Sequence, residues 1–147
     1  MKTIILVWGS KERGKSQSLK IRAGRLPFNT IIKPWSGDDY DSYVIGTVKD
    51  GEEKERIVGI ESLGDPGSCQ KVWIEACINA GCEVIVAASR CYGQTKTDAY
   101  DLARANGYEV IEVTTHFNVG GPLLSNGTDL RYTFADNMIS LIMKCLA

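Results

Sequence analysis

"LVWGSKERGKSQSLK", residues 6–20, decides how this chain is read. An apolar run, "KTIILVW", ends at Gly9. A continuous apolar run of this length is expected of a strand buried on both faces of a sheet. The segment that follows, "KSQSLKIRAGRL" at 15–26, fits a short helix with Leu19, Ile21, Ala23 and Leu26 partly buried, and Gly24 weakens its end. Between strand and helix lies GSKERGKS, Gly9 to Ser16, spaced as G-x-x-x-x-G-K-S. Glycines at those points let the backbone curl so that successive N–H groups point inward. The helix that follows adds its positive N-terminal end.

The rest of the chain repeats the alternation of strand and helix. "NTIIKPW" is a short strand stopped by Pro34. "YVIGTV" and "RIVGIE", joined by the charged, Gly-containing "KDGEEKE", read as a β-hairpin around residues 43–61. Ser68 is a candidate cap for the helix "CQKVWIEACINAG", which Gly81 ends. "CEVIVAAS" is a second buried strand. Thr97 or Asp98 caps "AYDLARANG", "YEVIEVTT" is the last strand, and Thr128 or Asp129 opens a C-terminal amphipathic helix. This order predicts a single α/β domain over residues 1–147, with a mostly parallel sheet and helices on both faces. In such sheets ligands bind at the carboxyl ends of strands.

Composition bounds the function. Apolar content is 44 %, charged content 24 % and net charge −1, with a pI of about 5.8. Such a balance argues against coating nucleic acid or an anionic membrane. No apolar run approaches the roughly 18–20 residues that span a bilayer. The first apolar run is shorter than a signal peptide needs, so a cytoplasmic location is expected. Cys69, Cys77, Cys82, Cys91 and Cys145 are odd in number and form no CxxC pair. They are read as reduced, mostly buried small apolar residues, without the ligand spacing of a zinc site.

By average composition, a chance match to the glycine-lysine pattern in a chain this long is on the order of one in a hundred. The match also sits at a strand-to-helix junction, the context the pattern requires. On these residues the sequence resembles the P-loop NTPase superfamily, whose Walker A motif is GSKERGKS here. The resemblance implies a P-loop NTPase-like fold and binding of a nucleoside triphosphate through Gly9, Ser10, Lys11, Glu12, Arg13, Gly14, Lys15, Ser16 and Gln17. It implies Lys15 on the β- and γ-phosphates and the Ser16 hydroxyl on Mg²⁺. One departure is Glu12, which brings a negative charge into the loop and is expected to point to solvent, with Lys11 and Arg13 offsetting it.

The family also needs an acidic group at the end of a neighbouring strand. "IVGIE" ends at Glu61, and Asp65 follows four residues later. Glu61 is the first candidate for the metal-side carboxylate, also able to polarise an attacking water, and Asp65 the second. Glu61-Ser62-Leu63-Gly64 echoes the D-x-x-G switch of small GTPases, yet no N-K-x-D follows either later strand, which favours ATP over GTP. Arg90 follows "CEVIVAAS" and is the candidate cation for the transferred phosphoryl group. It lies in "SRCYGQTK", which reads as a short lid. Asp38, Asp39, Tyr40, Asp41 and Trp35 form an acidic stretch before the hairpin. His116, with Thr115, Phe117 and Asn118, lies beyond the last strand, where members of this family contact the base; as a lone histidine it reads first as structural. Trp73 reads as core or partly buried surface.

The function expected is therefore an ATP- and Mg²⁺-binding hydrolase that transfers phosphoryl to water. The alternatives are a small-molecule or nucleotide kinase, a non-catalytic nucleotide sensor that engages a protein partner, and a doubly wound domain whose GKS match is accidental.

Overall fold

In the computed structural model the apolar run Thr3–Trp8 forms β1, and a six-stranded sheet is built around it. The structure describes residues 2–8, 26–35, 43–50, 54–62, 69–90, 93–114 and 123–147. The other elements are β2 (Phe28–Lys33), β3 (Tyr43–Asp50), β4 (Lys54–Glu61), α1 (Gln70–Asn79), β5 (Val84–Ser89), α2 (Gln94–Asn106), β6 (Glu109–Thr114) and α3 (Leu130–Leu146). The helix expected over 15–26 lies outside the described residues except for its last residue, Leu26, which is buried.

The strand order is β2-β3-β4-β5-β1-β6. β4, β5, β1 and β6 pair in parallel, while β3 is antiparallel to both β2 and β4. Among the described strands β3 alone runs against the rest. The sheet is thus mixed but mostly parallel, as expected, and the hairpin forms in continuous register from Tyr43↔Glu61 to Asp50↔Lys54. β2 is an edge strand with two register shifts and ends before Pro34. Such irregularity interrupts the ladder of an exposed edge.

β1 shows why a continuous apolar run was needed. Ile5 and Val7 join one buried cluster with Val58, Ile60, Val84, Val86 and the α3 stripe Phe134, Met138, Ile142 and Leu146. Ile4 and Leu6 turn to the other face, against Ile74 and Cys77 of α1 and Ala99 and Ala103 of α2. Helices therefore cover both faces. The β4–α1–β5 and β5–α2–β6 crossovers step the same way across the sheet and share one face, as a common handedness demands.

α2 begins earlier than the sequence suggests. Its N-cap is Gly93, with φ 93°, so Thr97 and Asp98 lie inside the helix rather than capping it. The Thr97 hydroxyl donates to the Gly93 carbonyl at 3.1 Å, and Asp98 Oδ1 accepts from Gln94 Nε2 at 2.6 Å. Gln94, Thr95 and Lys96 of the expected lid "SRCYGQTK" form the first turn of the helix, and residues 91–92 lie outside the described residues. α1 has Cys69 at its N-cap without a side-chain cap bond, and Ser68 lies outside the described residues. Asp129 caps α3 as expected, accepting from the Arg131 N–H at 3.0 Å. Among the described residues, no helix is long and apolar enough to cross a membrane.

Candidate functional site

The parallel strands end together along one edge of the sheet. Trp8, the last residue of β1, is in register with Ser89 of β5 on one side and Thr114 of β6 on the other. Glu61, the last residue of β4, is in register with Ala87 of β5. Gly9, where GSKERGKS begins, follows directly on Trp8. That edge is where a doubly wound sheet receives ligands.

Glu61 and Arg90 are the predicted catalytic residues that fall within the described chain. Gly9, Ser10, Lys11, Glu12, Arg13, Gly14, Lys15, Ser16 and Gln17 lie outside the described residues, as do Asp65, Asp38, Asp39, Tyr40, Asp41, Thr115, His116, Phe117 and Asn118.

The Glu61 side chain is fully buried, and its neighbour Ser62 nearly so. A buried carboxylate requires hydrogen bonding to be tolerated. One such bond is plain: the Ala88 N–H donates to Glu61 Oε2 at 3.2 Å. The Ala88 carbonyl accepts from Gln70 Nε2 at 3.1 Å. β4 has left the sheet at this level, and two side chains, Glu61 and Gln70, occupy the places its backbone would have held beside β5. Main-chain groups buried in a sheet must be paired, which accounts for both contacts.

From Gln70 the network continues to α2. The same carboxamide donates to the Thr95 carbonyl at 3.0 Å. The Thr95 hydroxyl accepts from the Arg90 N–H at 3.2 Å and lies 3.5 Å from the Ser89 hydroxyl. Ser89 Oγ donates to the Arg90 carbonyl at 2.7 Å. Both main-chain groups of Arg90 are thus held by hydroxyls, and Ser89, Thr95 and Gln70 are all buried.

Comparison with protein-family models, with curated proteins and with solved structures gave no match.

What this edge can do is therefore read from its own residues. It gathers a buried carboxylate and an arginine on a fixed backbone, beside the end of β1 after which the glycine-lysine motif follows in sequence. Among the described residues, no group of three or more His, Cys, Asp or Glu side chains stands ready for a metal. Mg²⁺ needs no such cage, because it keeps several waters and is held by one or two protein oxygens plus phosphate oxygens. A carboxylate at a strand end is a hard oxygen donor of the right kind.

On the β3 side, Tyr43 is the cross-strand partner of Glu61. Its ring meets Trp73 at a centroid distance of 5.3 Å. Lys33 Nζ lies 4.1 Å above the Tyr43 ring and donates to the Tyr43 carbonyl at 2.8 Å. Desolvation lowers the Lys33 pKa below its ordinary value, against a smaller opposing effect of Cys77. Trp73 is half-buried, as expected, while Trp35 packs against the α3-side cluster. Of the described cysteines, Cys77 and Cys82 are buried, Cys145 is half-buried and Cys69 is exposed, and all four are free thiols.

Gln70, Ser89 and Thr95 were not legible as site residues. One signal was present: Gln70, Ile74 and Cys77 lie at i, i+4 and i+7, so a polar residue shares the core face of α1.

Proposed function

We propose that this chain is a P-loop protein that binds ATP with Mg²⁺ and hydrolyses it by phosphoryl transfer to water. The observation that carries the reading is the meeting of three strand ends: the glycine-lysine motif follows directly on β1, Arg90 follows the adjacent β5, and buried Glu61 ends β4 beyond it. In this reading the loop amides of residues 9–16 bind the β-phosphate, and Lys15 supplies an ammonium to the β- and γ-oxygens. Ser16 and Glu61 are the oxygen donors on the metal side, with Asp65 the alternative to Glu61. Mg²⁺, when bound, neutralises charge on the phosphate oxygens. Arg90 stabilises charge on the transferred group, and Glu61 orients water. Catalysis of this type is positioning and electrostatics rather than covalent chemistry.

Water is proposed as the acceptor; a kinase would need in addition an acceptor pocket and a closing lid. The test is calorimetric titration of the wild type and Lys15→Ala with ATP and GTP in Mg²⁺, paired with a phosphate-release assay. The wild type is expected to prefer ATP and release phosphate, and Lys15→Ala to bind at least about tenfold more weakly. ATP binding without turnover would instead indicate a nucleotide sensor. Absence of binding heat with either nucleotide would leave the glycine-lysine motif an accident of sequence.

A further inference from the structure

Thr95 occupies an unusual place for a residue in the first turn of a helix. Its hydroxyl does not cap α2, whose N-cap Gly93 carbonyl is instead reached by Thr97. It reaches back five residues to the Arg90 N–H at 3.2 Å. Ser89 closes the other side by donating to the Arg90 carbonyl at 2.7 Å. The Thr95 carbonyl is held at 3.0 Å by Gln70, whose carboxamide also holds Ala88, whose N–H in turn goes to Glu61. A single chain of side-chain-to-backbone bonds thus runs Glu61–Ala88–Gln70–Thr95–Arg90 along the carboxyl edge of the sheet. Glu61, Gln70, Ser89 and Thr95 are each at most 4 % exposed, while the two bonds to the Arg90 main chain are part-buried.

We propose that Thr95 is a positioning residue for Arg90: its hydroxyl fixes the arginine backbone one residue past the β5 position that pairs with Trp8, so the side chain leaves from a rigid root at the carboxyl edge of the sheet. The inference rests on the nucleotide reading above and adds to it the device that aims the cation. An arginine on a fixed root loses less freedom when it meets developing charge, which is how positioning lowers a barrier.

The experiment is a double-mutant cycle with Thr95→Val, which keeps the shape and removes the hydroxyl, Arg90→Ala, and the two combined, with Thr95→Ser as the conservative control. Three quantities are read: kcat for phosphate release, ATP affinity in Mg²⁺ by calorimetry, and hydrogen exchange of the Arg90 amide by NMR in nucleotide-free protein. Thr95→Val is expected to lower kcat on the order of tenfold and to leave ATP affinity within about twofold of wild type. Thr95→Ser should restore kcat to within about twofold, and Thr95→Val should change kcat by less than about twofold on the Arg90→Ala background. The Arg90 amide should exchange about tenfold faster in Thr95→Val and stay protected in Thr95→Ser. If Thr95→Val does not fold, Ser89→Ala, which removes the donor to the Arg90 carbonyl, runs the same cycle. Losses that multiply in the double variant, or an Arg90 amide unchanged by Thr95→Val, overturn the inference while the nucleotide reading stands. A wild type without ATP affinity overturns both.

Discussion

Gly59 of β4 carries no side chain where α1 crosses it. A Cβ built there would lie 2.6 Å from Cys77 Sγ, 3.1 Å from Cys77 Cβ and 3.2 Å from Cys82 Sγ. Both cysteines are fully buried, so the helix cannot yield by turning a side chain to solvent. Gly59→Ala is expected to destabilise the protein by about 1–3 kcal/mol through overpacking, read as a lower urea midpoint with unchanged slope. Cys77→Ala on that background should recover part of the loss, because it removes the sulfur but leaves the Cβ contact. Strict additivity of the two substitutions would show that the crowding is relieved elsewhere. The same pair explains the chemistry of these thiols. A hydrogen bond to Cys82, then burial, pushes the Cys77 thiol up from its ordinary value, so it remains protonated and unreactive. Two apolar thiols filling the space a glycine leaves open is a packing role, which is how the sequence reads them, whereas Cys69 is exposed because it sits at the start of α1 rather than on its core face.

Tyr108 joins two helix ends. α2 closes at Gly107, with φ 73°, a conformation that costs glycine least. The Tyr108 N–H then returns to the Ala103 carbonyl at 2.9 Å. The phenol crosses to donate to the Cys82 carbonyl, in the turn that leads from α1 into β5. Desolvation, with smaller effects from Cys82, Cys77 and Glu83, raises the Tyr108 pKa from 10.0 to about 12. The unfolded chain therefore ionises this phenol first. The stabilisation is present in full below about pH 10 and is lost as pH rises through about 12. Tyr108→Phe is expected to cost about 1 kcal/mol at neutral pH, and its deficit against wild type should shrink in urea titrations between pH 10 and 12. A deficit constant across that range would mean that the phenol titrates alike in the folded and unfolded chains. At this scale much was legible. Apolar runs marked β1 and β5, a charged turn marked the hairpin, and Asp129 and Gly107 marked helix ends. The start of α2 was misread because Gln94, Thr95 and Lys96 look like loop in sequence. The helix instead begins at a glycine without a side-chain cap, and the exposed Thr97 hydroxyl bonds back to its carbonyl.

The order β2-β3-β4-β5-β1-β6 sets which distant residues can share chemistry. It brings Glu61 and Arg90 to one edge, although 28 residues lie between them in the chain. Periodicity made Glu61 visible because a charge ends an otherwise apolar strand. It put Gln70 on the core face of α1 without showing its partners, and it could not reveal Ser89 or Thr95, since a buried polar residue looks like a surface one until the sheet places its partners. The assembled edge also gives Glu61 two separable jobs. Its Oε2 accepts from the Ala88 N–H at 3.2 Å, a structural bond that any oxygen acceptor can keep. Its negative charge is needed only for the proposed metal role. Glu61→Ala leaves the buried Ala88 amide without that acceptor and is expected to cost about 1–3 kcal/mol. Glu61→Gln retains a carbonyl oxygen, so it should cost less and preserve the cooperative unfolding transition. The two variants then divide by ligand response. Wild-type protein in saturating ATP and Mg²⁺, at a hundred times the dissociation constant, should gain about 2.7 kcal/mol. Glu61→Gln should lose most of the part of that gain that depends on Mg²⁺ and keep the part measured with ATP in chelator, because in the proposed reading Lys15 and the amides of residues 9–16 bind phosphate without the carboxylate. Thermal denaturation with and without chelator reads both parts. A Glu61→Gln protein with the full Mg²⁺-dependent gain would assign Glu61 to the ladder alone and leave Asp65 as the metal-side carboxylate.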